Sequence, residues 1–305
     1  MDTIAIESPE DWLKRPSFHS KVIASSDQLV GIIGKYDLPR PPEGSAFHEG
    51  KVQCGLNNCN QLHFVGFLIL LKDGRETNIG SDCGEREFGT PWKEFHAAFK
   101  SAEKKRTLES SLKKIDESRV PLLSEGERIL GSLTDKAARL KQIRGALREF
   151  DTVWAHCIAL SKNDGKVQAE RQLKKFERTN KNKHSVIETK AIIRELSLLF
   201  ENEDLIIKCL KSDALRWLKY EFNDEISSAR GDLKKLELIA EKAKGYNTAI
   251  NDAEIFNNRL EVFLETRNLI AFQAIDQFLL RKAEKSTALT RALQRLTLVD
   301  SATSS

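Results

Sequence analysis

Residues 54–89 read CGLNNCNQLHFVGFLILLKDGRETNIGSDCGEREFG, and this stretch decides how the N-terminal part of the chain folds. Residues 62–71 are rich in β-formers, Asp73-Gly74 is a dipeptide that turns a tight hairpin, and 76–79 supply the return strand. Gly80-Ser81-Asp82 then forms a turn in which Ser81 or Asp82 can cap a short helix starting near Cys83. Cys54 and Cys59 lie on a Gly- and Asn-containing turn ahead of the hairpin, and Cys83 follows it. The hairpin therefore brings the three cysteines back together.

This arrangement suits zinc, which takes four thiolate or imidazole donors in a tetrahedron. The order Cys54-x4-Cys59-x3-His63-x19-Cys83 supplies a Cys3His set. His48, in FHEGKVQC, competes with His63 for the fourth position, because both can reach the turn. A helix N-terminus favours the thiolate form of Cys83. The other two cysteines, Cys157 and Cys209, stand at apolar helical positions beside Ile158 and Leu210 and read as core.

A cysteine turn, a β-hairpin and a cysteine at a helix start together resemble the treble-clef zinc finger. The run TNIGSDCG is similar to small zinc modules of uncharacterised bacterial and prophage-encoded proteins. The likeness covers residues 48–90, and it implies a fold more than a function. This sequence departs from the pattern in its four-residue spacer and in offering a single helix cysteine.

Outward from this stretch the composition changes. All seven prolines lie in the first 121 of 305 residues, and ten of sixteen glycines precede residue 90. From Leu122 onward there is no proline, and apolar positions recur at three and four, which predicts helix nearly throughout. Pro91, with Thr90 as cap, opens the first helix. The fold class is thus mainly α, with a small α+β zinc module over 1–90, a helical and partly coiled-coil bundle over 91–300, and a frayed tail over 301–305. Helices are expected over 122–160, 186–200, 203–222, 224–243 and 246–284, with breaks at 162–166, 178–185 and 201–204 and near Gly231 and Gly245. Leu133, Leu140, Leu147 and Trp154 are spaced by seven, with Ile143, Phe150 and Cys157 offset by three. Such a seam closes against another helix of the chain or against a second chain, and the long helices favour a homodimer.

No apolar run is long enough to span a membrane, no secretory signal pattern opens the chain, and the cysteine spacing is not that of a disulfide scaffold. The expected location is the cytoplasm. Net charge is +4, split as −3 over residues 1–100 and +7 over the remainder. Residues 162–190 hold nine Lys/Arg against four Asp/Glu. Arg171, Lys174, Lys175, Arg178, Lys181 and Lys183 are the candidates to contact nucleic-acid phosphates, and Lys141, Arg144 and Arg148 share a helical face. No catalytic motif is present: HExxH, G-x-S-x-G and a phosphate loop are all missing. An enzyme reading survives as Cys83 acting as nucleophile with His63 or His96 as base, or as a catalytic zinc. The leading expectation is a zinc-stabilised nucleic-acid-binding or partner-docking factor; the alternative is a protein-protein adaptor with purely structural zinc.

Overall fold

A computed structural model describes residues 4–5, 10–42, 50–174, 177 and 185–280. The chain forms two compact units, Met1–Ser110 and Ser111–Ser305. It is mainly helical, with its larger sheet in the first unit and a long helical bundle in the second.

The first unit is built on a four-stranded sheet of order β1 (Ile4–Ala5), β2 (Leu29–Asp37), β5 (Val65–Leu71) and β6 (Glu76–Ile79). β1 runs parallel to β2, and the other pairings are antiparallel. The β5–β6 hairpin turns at Asp73-Gly74, where Gly74 has a φ of 84°. β5 is covered on both faces: Phe67, Ile69 and Leu71 enter one apolar cluster with Ile79, Phe88 and Trp92, while Leu68 and Leu70 join another with Trp12, Ile33 and Tyr36. Burial on alternate sides explains why the strand is a continuous apolar run rather than an alternating one.

Beside this sheet, β3 (Val52–Gln53) and β4 (Leu62–His63) form a two-stranded ribbon, and after β6 the chain enters α2 (Ser81–Phe88). A short helix, α1 (Glu10–Leu13), precedes β2. α3 (Thr90–Glu117) begins at Thr90 itself, with Pro91 in its first turn, where the missing N–H leaves no helical bond unmade. Trp92 and Phe99 belong to the core of the first unit, with Phe95 packed against it. That is why the division falls inside α3 rather than at its start.

In the second unit, α4 (Arg119–Arg148) packs along α8 (Leu233–Leu264). Ser132 donates to Asn257 (3.0 Å), Lys136 pairs with Glu261 (3.1 Å), and the Tyr246 hydroxyl donates to the Leu122 carbonyl (2.9 Å). Leu133, Leu140 and Leu147 are buried within this one chain, so the seam has an intramolecular partner. It is also not one helix: α4 ends at Arg148, Phe150 is extended, and α5 (Asp151–Ser161) restarts with Trp154 half-buried.

Several boundaries depart from the sequence expectation. Residues 186–192 are not helix but β8 (Ser185–Ile192), paired antiparallel with β7 (Lys166–Gln172). Val186, Ile187, Thr189 and Ile192 are β-branched, and the left-handed Asp164-Gly165 turn feeds β7. A 3-10 turn, Leu196–Phe200, leads to α6 (Glu203–Lys208), capped by Asn202. The chain then widens into π-helical turns at Cys209–Leu215 and Trp217–Glu221 before α7 (Phe222–Ser228). The break near Gly231 holds, with Asp232 capping α8. Gly245 does not break the chain: it lies inside α8, among helix formers that outweigh one glycine. The interruption comes instead at Glu265, ahead of α9 (Thr266–Ala271). The expected tail, residues 301–305, lies outside the described residues.

Candidate metal centre

The sulfur atoms of Cys54, Cys59 and Cys83 all lie within 4.8 Å of one another, and Cys59 Sγ is 3.6 Å from Cys83 Sγ. Donors bound at about 2.3 Å around one tetrahedral ion stand about 3.8 Å apart. The described cysteines already approximate that spacing.

Local structure creates it. Cys54 and Cys59 occupy the turn between β3 and β4, closed by Cys54 N–H to Gln61 O (2.9 Å) and Cys59 N–H to Leu56 O (2.9 Å). Asn57 and Asn58 both adopt left-handed backbone, which asparagine tolerates better than most residues. The Asn57 side chain accepts from Ala24 N–H (2.9 Å) and donates to Ala24 O (3.1 Å) and to Glu87 (2.8 Å), tying the turn to the strand approach and to α2. Cys83 stands in the first turn of α2, whose cap is Gly80 and not Ser81 or Asp82. The next residue must be glycine: a Cβ on Gly84 would lie 2.3 Å from the Trp92 ring.

The three thiols differ in their electrostatics. Burial raises the Cys54 thiol, opposed by the amides of Leu56 and Gly80. Burial also acts upward on Cys59, but the Gln61 amide, Arg86 and the neighbouring thiols outweigh it, leaving Cys59 below the ordinary thiol value. The Arg86 guanidinium stands 3.6 Å from Cys59 Sγ. Cys83 is pushed up to about 12, first by burial and then by the charge of Cys54, and its thiol donates to Gln61 Oε1 (3.0 Å). The helix start therefore does not make Cys83 a free thiolate, and that weakens the case for it as a nucleophile. A cation placed among the three sulfurs would favour their thiolate forms over the protonated ones.

His63 does not join the sulfur cluster. Its Nδ1 is 2.9 Å from the Tyr36 hydroxyl, and its Nε2 is buried without a hydrogen-bond partner. Burial lowers its pKa, keeping the neutral, metal-binding form of the ring. Its ring edge lies against Gly80, where a Cβ would stand 3.0 Å from Cδ2. A cavity of about 530 Å³ is bounded by Gln61, His63, Gly80, Asp82 and Cys83 among others. His48 lies outside the described residues. His96, the other proposed base, is half-buried, stacks on Trp92 and meets Phe67 edge-on.

The proposed phosphate contacts fall differently. Lys175, Arg178, Lys181 and Lys183 lie outside the described residues, and Lys174 follows the end of β7. Arg171 is held between Glu188 of β8 and Glu177 (2.9 Å). Lys141 pairs with Asp204 (2.7 Å), Arg144 with Glu203 (2.8 Å), and Arg148 lies over the Trp154 ring. Cys157 is fully buried and alone, whereas Cys209 is only half-buried. Among the described residues no helix is long and apolar enough to cross a membrane.

Sequence reasoning did not find Tyr36, Gln61, Asn78 or Arg86. Only the Asn57-Asn58 turn had a local signal.

No protein-family profile matches the chain, no curated protein matches it, and no solved structure matches it.

Proposed function

We propose that the first unit is a zinc-folded module of treble-clef plan, in which Cys54, Cys59 and Cys83 hold the ion and His63, which lines the same cavity as Cys83, supplies the fourth donor through Nε2. The convergence of three sulfurs carries this reading. The orphaned, buried Nε2 supports His63 over a side chain that already has partners. A thiolate-rich set with a neutral imidazole is the chemistry of structural zinc. Elemental analysis of purified protein tests it: one zinc per chain is expected, lost in Cys54→Ser and Cys83→Ser, weakened in His63→Ala and unchanged in His48→Ala. Metal-free protein with a folded first unit would overturn it.

The chain then serves as a non-catalytic factor whose helical unit docks a protein partner. Supporting this over nucleic acid, Arg171, Lys141 and Arg144 are each committed to carboxylates of the same chain.

Phosphate contact is the second reading, favoured by the β7–β8 ribbon. Ribbons of this kind enter nucleic-acid grooves, and here the segment joining the strands carries the Lys/Arg run. A duplex-binding titration against salt separates the two. Phosphate contacts give a log–log slope of about −0.9 per contact, and Lys174→Glu with Lys175→Glu and Arg178→Glu abolishes binding. A flat response leaves protein docking.

A further inference from the structure

We infer that Tyr36 is the positioning residue of the metal centre: its hydroxyl, itself held by Asn78, anchors Nδ1 of His63 so that Nε2 is the nitrogen presented to the ion. This rests on the zinc reading above and goes beyond it, because it assigns a role to a residue outside the ligand set.

The geometry links four strands. Tyr36 comes from β2, where it is buried and its ring stacks on Trp12 with centroids 4.6 Å apart. Its hydroxyl has little freedom to move. Across the sheet, on β6, Asn78 is also buried; its amide donates to the Tyr36 oxygen (3.4 Å) and to the Gln53 carbonyl (2.8 Å). Gln53 ends β3 and immediately precedes Cys54, while the Asn78 carbonyl accepts from Gly55 N–H (2.9 Å). One asparagine therefore holds the first cysteine from both sides and also steadies the phenol that meets His63 on β4.

A phenolic oxygen has two lone pairs and can accept from two donors. Asn78 donates to one; when the other accepts Nδ1–H of His63, the ring is in the tautomer whose Nε2 lone pair is free, which is the one a ligating Nε2 requires. Metal-binding histidines ordinarily give their second ring N–H to such an outer partner, and losing that partner costs about 10- to 100-fold in metal affinity. The match between a tethered Nδ1 and an orphaned, buried Nε2 is what a ligand histidine requires.

The test measures zinc affinity of the full chain by competition with a chromophoric chelator for wild type, Tyr36→Phe, His63→Ala and the double variant. Phenylalanine keeps the stacking on Trp12, and circular dichroism checks that each variant is folded. Tyr36→Phe is expected to weaken zinc binding about 10- to 100-fold, and to have no further effect once His63 is alanine. A purely structural role would lower affinity equally in both backgrounds. Nitrogen-15 shifts of the His63 ring supply a second readout: the zinc-loaded wild type should show Nδ1 protonated and Nε2 metal-bound. Wild-type affinity in Tyr36→Phe, or an equal loss in both backgrounds, overturns the positioning role while leaving the zinc reading intact. Failure of wild type to bind zinc, or wild-type affinity in His63→Ala, removes the ligand reading on which it stands.

Discussion

Cysteine has two fates in this protein, and they separate its two units. In the first, two cysteines of one turn and a third at a helix start converge, with Cys54 and Cys83 raised by burial and Cys59 lowered by its neighbours. In the second, Cys157 sits alone in the apolar interior, its thiol pushed up to about 12 by burial, a small hydrophobe with nothing to bind. The units also differ in what surrounds them. The first rests on short strands and a ribbon of two-residue strands, whereas the second has helices of 30 and 32 residues packed along each other. A two-residue ribbon pinned to a helix start has most to gain from a metal cross-link, and a long-helix bundle has least.

The sharpest way to break this contrast is to remove the ion. Chelation or Cys83→Ser should unfold the first unit and leave the helices of the second, since zinc supplies on the order of 10 kcal/mol to small modules. Cys157→Ser should leave zinc content unchanged. Proteolysis with mass spectrometry resolves the units, and simultaneous loss of both would show that they are not independent.

The second unit should fail instead through its buried charge. Glu203 is 2% exposed and bonds Arg144 through both oxygens, at 3.0 and 2.8 Å. Glu203→Ala strands the guanidinium and is expected to cost about 3–5 kcal/mol in denaturant melts, with zinc stoichiometry unaffected.

A single substitution type should have opposite signs in the two units. Gly84→Ala drives a methyl into Trp92 and should destabilise the first by about 1–3 kcal/mol. Gly245→Ala meets no atom within 4 Å in mid-helix and should stabilise the second by up to about 1 kcal/mol. Thermal melts of both variants decide it.

The smallest effect concerns pH. Arg15 pairs with Glu76 at 2.6 and 2.8 Å and holds that carboxyl below its usual range. A depressed carboxyl contributes stability above its unfolded pKa, and the contribution disappears as pH falls through the lower, folded value. Arg15 is a third exposed, so the gain is about 1 kcal/mol. Glu76→Gln should therefore lose about that much at pH 7 and converge with wild type in acid. A constant gap across pH would show packing rather than charge.

The turn, hairpin and helix around the cysteines were legible because each is signalled locally, by Asp73-Gly74, by the β-rich run and by Gly80. The long helices were legible from periodicity. The β7–β8 ribbon was not: its charged residues are good helix formers, and only pairing between Val167 and Ala191 or Glu170 and Ile187 reveals a sheet. Propensity within one segment cannot report a partner some twenty residues away. Tyr36 and Asn78 were hidden for the same reason, since nothing near either residue refers to His63. The cap of α2 was misread because Ser81 and Asp82 are good cap types, yet the backbone places Gly80 there.

The β5–β6 hairpin also shortens the path between the cysteines. Cys59 and Cys83 are 24 residues apart, and bringing them together costs loop-closure entropy. Once the Asp73-Gly74 turn zips β5 against β6, the effective separation falls to the few residues flanking each strand. Cys54 and Cys59 are already joined by one turn, and the hairpin is what carries the third sulfur to them. An ion bound by the three sulfurs would therefore lock a contact that the strands themselves bring close.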